Sequence, residues 1–155
     1  MFIFLAYYEI LVYHYRENNQ RRREYYMCEI LLSIKPEFVN LIMCGQKKYE
    51  FRKKPCKQNV DKIIIYSTNP IMKVVGEAHV ETVLIDKPEN IWNITKEESG
   101  IERDFFDEYY RGRDQAVAYK LEHIVRYPEP KSLADYGIST APQSFCYLGP
   151  QYSPH

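Results

Sequence analysis

The sequence predicts a single α+β domain, because apolar residues recur at the helical period in some stretches and alternate with polar residues in others. With 155 residues, the chain is long enough to bury a hydrophobic core. Hydrophobic residues make up 45% and charged residues 27% of it, as in ordinary globular proteins. Neither an internal repeat nor a linker divides the chain, so we expect one domain.

Residues 1–26 differ from the rest of the chain. The first 13 residues are apolar apart from Glu9, and a polar stretch with the run Arg21-Arg22-Arg23 follows. A signal peptide needs its positive charge before the apolar stretch, and 13 residues are too few to span a bilayer. We interpret this stretch as an extension dispensable for folding, either an added amphipathic helix or sequence outside the natural protein. We therefore expect residues 27–148 to form the domain and 149–155 a tail.

The segment from residue 33 to residue 52 predicts one short helix followed directly by a strand. Pro36 suits the first helical turn, where its missing N–H costs nothing. Gly45 is expected at the C′ position, because the left-handed conformation that ends a helix favours glycine. Apolar and polar residues then alternate from Tyr49 to Arg52, which predicts a strand.

Later elements follow from the same patterns. We expect strands over residues 62–66, 74–84, 116–125 and 145–148, helices from Pro88 and over 102–110, and a loop with one helical turn over 128–140. Gly76 marks a bulge or a close approach within its strand. In the 74–84 strand, alternation places on one face Val75, Glu77, His79, Glu81 and Val83. In the 116–125 strand, it places on one face Val117, Tyr119, Leu121, His123 and Val125. In the 102–110 helix, the expected packing face consists of Phe105, Phe106 and Tyr109.

Three charged residues are expected to lie together after Gly45. In an extended segment Glu50 and Arg52 point to the same face, with Cα atoms about 7 Å apart. Lys47 lies in the turn and can reach that face, whereas Tyr49 and Phe51 point to the opposite side, into a core. On the residues alone, the cluster fits an exposed group of ion pairs, which are common and weak.

The spacing Gly45-x-Lys47-x-x-Glu50-x-Arg52 resembles the G-x-K-x-x-E-x-R motif of the ASCH domains, members of the PUA-like superfamily. The stretches at 63–68, 74–77 and 142–148 are also similar to that family. The resemblance implies a small, mostly antiparallel β-barrel with flanking helices and a cleft lined by the motif. Relatives are linked to RNA binding, transcription coactivation and, in one branch, amide hydrolysis.

A cleft of this kind implies a set of ligand-binding residues. Lys47 and Arg52 would grip a phosphate or a base carbonyl, while Glu50 positions Arg52 or accepts from a base amine. The strand ending at Tyr66 is expected to lie beside the motif, with its tyrosine as a stacking face. The further candidates are Lys53, Lys54, Tyr66, Ser67, Gln143 and Ser144.

The leading functional hypothesis is a module that binds RNA, a nucleotide or a nucleoside, in RNA metabolism or in the regulation of transcription or translation. A rival is a hydrolase acting on acylated nucleosides or on RNA, with Lys47, Glu50 and either Glu77 or Glu81 as acid–base groups on a bound water. In the amidohydrolase branch a threonine nucleophile stands where this chain has Glu50. A third hypothesis is a protein-interaction adaptor that uses a tyrosine-rich surface.

Charge and cysteine content limit these hypotheses. The chain has 21 basic and 21 acidic residues, so nucleic-acid binding must rest on a local basic patch, which favours a short single strand or modified nucleoside over a duplex. The four cysteines show neither a C-x-x-C pair nor a matching histidine spacing, so we expect no metal site. We also expect no cofactor. Scattered cysteines indicate reduced thiols in a cytoplasmic protein.

Overall fold

The computed structural model describes residues 28–149, so the expectations for residues 1–26 and for the end of the tail lie outside the described range. The strands in this range are β1 Glu29–Ile34, β2 Tyr49–Arg52, β3 Lys62–Ser67, β4 Lys73–Asp86, β5 Ala116–Lys131 and β6 Phe145–Leu148. The α-helices are α1 Pro36–Met43, α2 Pro88–Thr95 and α3 Arg103–Tyr109, with short 3-10 turns at Lys96–Glu98 and Leu133–Tyr136. None of the helices in this part of the chain has the length and apolar character needed to cross a bilayer.

The strands form one mixed sheet in the order β2-β5-β4-β3-β1-β6. Strands β1 and β3 are parallel, and the other four neighbouring pairs are antiparallel. The sheet curls into a half-barrel, which confirms the predicted α+β class with a mostly antiparallel barrel-like sheet. Strands β2 and β6 are its two edges, so the ring is open between them.

The helices pack on the sheet through two separate parts of the core. Helix α1 contributes Val39 and Ile42 to the main cluster, where they meet apolar residues of β1, β3, β4 and β5. Helices α2 and α3 contribute Ile91 and Phe106 to a second cluster over β2 and the start of β5. The predicted helices are therefore confirmed, and each is held by its buried apolar side chains.

The turn between α1 and β2 is built as the sequence predicts. Gly45 has a φ of 81°, in the left-handed region. The two residues after it, Gln46 and Lys47, both donate their backbone N–H groups to the Leu41 carbonyl at 3.0 Å. These bonds satisfy a carbonyl at the helix end and turn the chain directly into β2.

Gly76 also lies where a side chain would not fit. A Cβ atom built on it would lie 2.2 Å from the Val125 carbonyl oxygen. The pairing of β4 with β5 shifts register between Val74 and Gly76, which confirms the expected bulge. The bulge makes the expected β4 face wrong, since Val75 and Ala78 lie in one core cluster although they are three residues apart.

Strand β5 follows its predicted face only in its first half. Val117, Tyr119 and Leu121 point into the main cluster. His123 has a φ of 48°, and Val125 is 47% exposed, so the predicted alternation is wrong beyond Leu121. The strand nevertheless continues through part of the predicted loop.

Strands β1 and β3 occupy positions that the sequence did not indicate. No strand was predicted for Glu29–Ile34, although β1 lies in the interior of the sheet with β3 on one side and β6 on the other. Strand β3 was expected beside the motif, but β2 pairs with β5 alone, and β3 lies three positions along the sheet. That expectation is wrong because sequence order does not give strand order.

Replacement of Gly45 tests the turn. We expect Gly45→Val to lower the free energy of unfolding by about 1–2 kcal/mol, since a residue with a Cβ is strained at positive φ. The measurement is thermal unfolding followed by circular dichroism. Gln46→Val is the matched control, because it adds the same side chain one residue later at an exposed position. Equal melting temperatures for the two variants would contradict this account of the turn.

Candidate functional site

A cleft of about 680 Å³ opens where the sheet fails to close. Its walls come from the end of β1 and the start of α1, from β2 and the loop after it, from α3, and from the segment before β6. The charged residues Lys47, Glu50 and Arg52 all line it. The charged residues of the Gly45–Arg52 motif therefore lie in the cleft at the open side of the sheet.

Arg52 spans the opening of the sheet. Its Nη2 donates to the Ser33 backbone carbonyl on β1 and to Glu50 Oε1, both at 2.9 Å, and its Nη1 donates to Ser144 Oγ at 3.3 Å. The Arg52 and Glu50 side chains are only 14% and 7% exposed. The interpretation as an exposed ion-pair cluster is therefore wrong. Breaking a buried pair of this kind leaves an uncompensated charge and costs roughly 3–5 kcal/mol.

Lys47 is more deeply buried than either of these partners. It is 3% exposed, and its Nζ donates to the Ser99 backbone carbonyl at 3.0 Å. The same Nζ lies 4.6 Å from the ring centroid of Phe51 and 5.5 Å from that of Phe38. Burial lowers the pKa of Lys47 to about 8; the Glu50 carboxylate opposes this shift and the Arg52 guanidinium adds to it. A fraction of this amine is therefore neutral near neutral pH.

The loop after α2 holds Lys47 in this position. Gly100 has a φ of 68°, and a Cβ atom on it would lie 2.5 Å from the Cβ of Lys47. Ser99 and Gly100 directly follow the short 3-10 turn at Lys96–Glu98. The backbone next to Lys47 can approach this closely because position 100 has no side chain.

Basic side chains surround the mouth of the cleft. Lys35, Lys53, Lys54 and Arg113 are exposed and line it, in addition to the buried Lys47 and the half-buried Arg52. Glu50 is the single carboxylate among the lining residues of the described chain. A chain with no net charge thus concentrates positive charge in one place.

The opposite wall is apolar and was missed at the sequence level. Phe38, Ile101 and Phe105 lie along it, and Phe105 is 44% exposed. Phe105 was predicted to share the packing face of its helix with Phe106, but only Phe106 is buried. Helical spacing offers a signal: residues 105 and 109 are four apart and both line the cleft, whereas residue 106 points elsewhere.

The predicted ligand-binding residues divide into two groups. Lys53, Lys54, Gln143 and Ser144 lie in the cleft with the motif residues. Tyr66 and Ser67 do not line it, and Tyr66 is only 2% exposed, in a cluster with Val74. Their assignment to the cleft is wrong because β3 is not next to β2; only Thr68, which follows β3, reaches the wall.

Two predicted acid–base residues also lie elsewhere. Glu77 accepts a hydrogen bond from the Tyr127 hydroxyl at 2.7 Å and pairs with Lys62 at 3.2 Å. Glu81 pairs with Lys120 at 2.8 Å. Neither carboxylate lines the cleft, so the expectation that one of them joins Lys47 and Glu50 is wrong.

Two further expectations concern metal ions and the tyrosine-rich surface. Within residues 28–149, no group of three or more His, Cys, Asp or Glu side chains is placed to hold a metal ion. The eight tyrosines of that range are all buried or half-buried. The described part of the chain therefore lacks the exposed tyrosine patch that the adaptor hypothesis requires.

The family model for the ASCH domain matches residues 32–126. The chain is 32% identical over 120 residues to large ribosomal subunit protein uL22 of Ureaplasma parvum serovar 3. This match covers 77% of the chain and 39% of that protein. An ASCH domain-containing ribonuclease of Zymomonas mobilis is 30% identical over 94 residues, covering 60% of this chain and 64% of the relative. The chain thus spans well under half of the uL22 relative and just under two thirds of the ribonuclease.

Solved structures show the same fold. The crystal structure of ASCH from Zymomonas mobilis superposes with a TM-score of 0.72 at 26% identity, covering 79% of this chain and 89% of that one. A serine-to-alanine variant of the same protein gives a TM-score of 0.71 at 26% identity, covering 78% of this chain and 88% of that one.

The buried Lys47 gives the protein a specific pH dependence. Its pKa is about 8 when folded against a usual value of 10.5, so between these values the unfolded chain binds more protons and stability rises with pH. Relative to Lys47→Met, the wild type should gain about 3 kcal/mol of unfolding free energy from pH 7 to pH 10.5. The measurement is urea unfolding across this range.

Lys48→Met is the control for this experiment, because Lys48 is exposed and pairs with Glu98 at the surface. Its stability difference from the wild type should stay nearly constant over the same range. A constant difference for Lys47→Met as well would contradict the burial of a titrating amine.

Proposed function

Because the chain belongs to the ASCH domain family, we propose that its cleft binds single-stranded RNA or a nucleotide through the phosphate groups. The observation that supports this most is the concentration of six basic side chains around one carboxylate in a chain with no net charge. A polyanion is the ligand that such a distribution attracts and orients. Membership of the family is consistent with an RNA-related role.

The cleft has the size to hold a short piece of a single strand. Its volume, about 680 Å³, lies within the range of pockets that hold small organic molecules. Arg52 and Lys47 lie inside, while Lys35, Lys54 and Arg113 lie at the mouth. This arrangement suits one nucleotide held inside and neighbouring phosphates held at the rim, whereas a duplex needs a wide charged surface.

The larger relatives contribute little to this proposal. Matches of 120 residues link the chain to part of a ribosomal protein and, at 29% identity, to 15% of an ATP synthase subunit alpha. These two proteins share no named activity, so neither name is carried over. The RNA-related role rests instead on the cleft and on the Zymomonas mobilis relative, which is named a ribonuclease.

Cleavage of the bound RNA is a second candidate function, favoured by the lowered pKa of Lys47. A neutral Lys47 amine would take the proton of a ribose 2′-hydroxyl, whose oxygen then attacks the adjacent phosphorus. The P–O5′ bond breaks, the 5′-oxygen takes a proton from water, and a 2′,3′-cyclic phosphate remains. Arg52 would stabilise the negative charge that develops on the phosphoryl oxygens. A lysine tuned to near 8 suits a general base at neutral pH.

Binding is tested at the rim, where substitution leaves the buried Arg52 bridge intact. We expect Lys35→Ala and Lys54→Ala each to weaken binding of a fluorescent single-stranded 2′-fluoro RNA and to flatten the slope of log affinity against log salt by about 0.7. The 2′-fluoro group removes the nucleophile, so the probe survives if the protein cleaves RNA.

Lys87→Ala is the matched control, because Lys87 is exposed but does not line the cleft. The readout is fluorescence anisotropy at several salt concentrations. If all three variants keep the wild-type affinity and slope, the cleft is not the RNA site.

Cleavage is tested by pH and by substitution. Turnover of unmodified RNA should rise with pH and level off above about 8, since the neutral form of Lys47 is the active one. Lys47→Met should abolish turnover, Lys48→Met should not, and the product should end in a cyclic phosphate by mass spectrometry. Equal turnover of 2′-fluoro RNA, or full activity of Lys47→Met, would rule out this mechanism.

A further inference from the structure

Phe105 is the only exposed side chain among the phenylalanine, tyrosine and tryptophan residues of positions 28–149. Its neighbour Phe106 is 1% exposed and packs against Phe51 and Trp92, with ring centroids 5.4 and 5.0 Å away. Phe106 therefore anchors α3 in the core. Phe105 is not needed to hold α3 on the sheet, so its exposed side chain is free for another role.

The ring of Phe105 lies in the cleft and has a fixed neighbour. It meets Phe38 edge to face, with centroids 5.4 Å apart and planes at 65°. Phe38 in turn lies 5.5 Å from Lys47 Nζ. An apolar aromatic surface is thus held one side chain away from the buried cation of the cleft.

An aromatic surface beside basic groups matches the chemistry of one ligand class. A nucleotide in a single strand carries a planar base and a phosphate joined by a sugar, so it can use both features at once. In a duplex, the base faces are covered by stacking on the neighbouring base pairs. Aromatic side chains beside a basic groove are the usual platform for unpaired bases.

We propose that Phe105 is the base-stacking platform of the cleft, supported from behind by Phe38. The inference rests on the proposed function, since it assigns the base of the same ligand whose phosphates the basic residues hold. Stacking on Phe105 requires the bound nucleotide to be unpaired, and it adds a contact that does not depend on charge.

The test compares ligands with and without bases. We expect Phe105→Ala to weaken binding of a 10-nucleotide 2′-fluoro oligoadenylate by roughly 5- to 150-fold, the range for loss of one stacked base. Binding of an abasic oligonucleotide of the same length should not change. Phe105→Trp should retain the wild-type affinity for both, because it keeps the aromatic face.

Ile94→Ala is the matched control, because Ile94 is 57% exposed on α2 and does not line the cleft. It should bind both ligands as the wild type does. Circular dichroism melting checks the fold, and Phe105→Leu, which keeps the apolar bulk but not the ring, replaces Phe105→Ala if the latter unfolds.

The outcomes separate this inference from the proposed function. If Phe105→Ala binds oligoadenylate as the wild type does while Lys54→Ala binds it more weakly, the platform is wrong and RNA binding stands. Equal weakening for the abasic ligand also overturns stacking. If the wild type binds neither ligand, both the platform and the proposed function fall.

Discussion

The guanidinium of Arg52 bridges the open side of the sheet, beside the hydrogen bonds that the Lys57 and Gln58 backbone N–H groups donate to the Tyr147 hydroxyl on β6. Arg52 is the last residue of the edge strand β2, and it donates to Ser33 of β1, to Ser144 ahead of β6 and to Glu50. A continuous ladder of backbone hydrogen bonds between these edges would leave no room for a ligand. A side-chain bridge leaves the cleft open and joins the two edges, so the cleft and the integrity of the fold depend on the same residue.

Lys47 gains its properties from the same arrangement. It lies over the ring of Phe51 and beneath the loop at Gly100, where burial disfavours its charged form, while Glu50 is shared with Arg52. A lone lysine on a surface strand would keep its usual pKa. The combination of one buried amine with a lowered pKa and several exposed basic side chains at the mouth makes the cleft suited to a phosphate ligand.

The sequence predicted local features better than it predicted neighbours. The positive φ at Gly45 and the close approach at Gly76 follow from what glycine permits, so single residues were enough to predict them. The position of Tyr66 depended on which strands pair, and local patterning carries no information about strand order. The exposure of Phe105 next to the buried Phe106 depended on how α3 rotates against β2, which is a property of packing. Helical spacing places Phe105 and Tyr109 on one face of α3, but only the structure shows that this face lines the cleft.

The most direct test of the account is to map where RNA contacts the protein. Backbone amide chemical shifts would be recorded by NMR during titration with single-stranded 2′-fluoro RNA. Binding in the open seam of the sheet predicts that the largest shifts fall together on residues 33–35, 47–54 and 143–145, which are distant in sequence and meet only at the cleft. Shifts confined to other surfaces, or no shifts at saturating RNA, would contradict it.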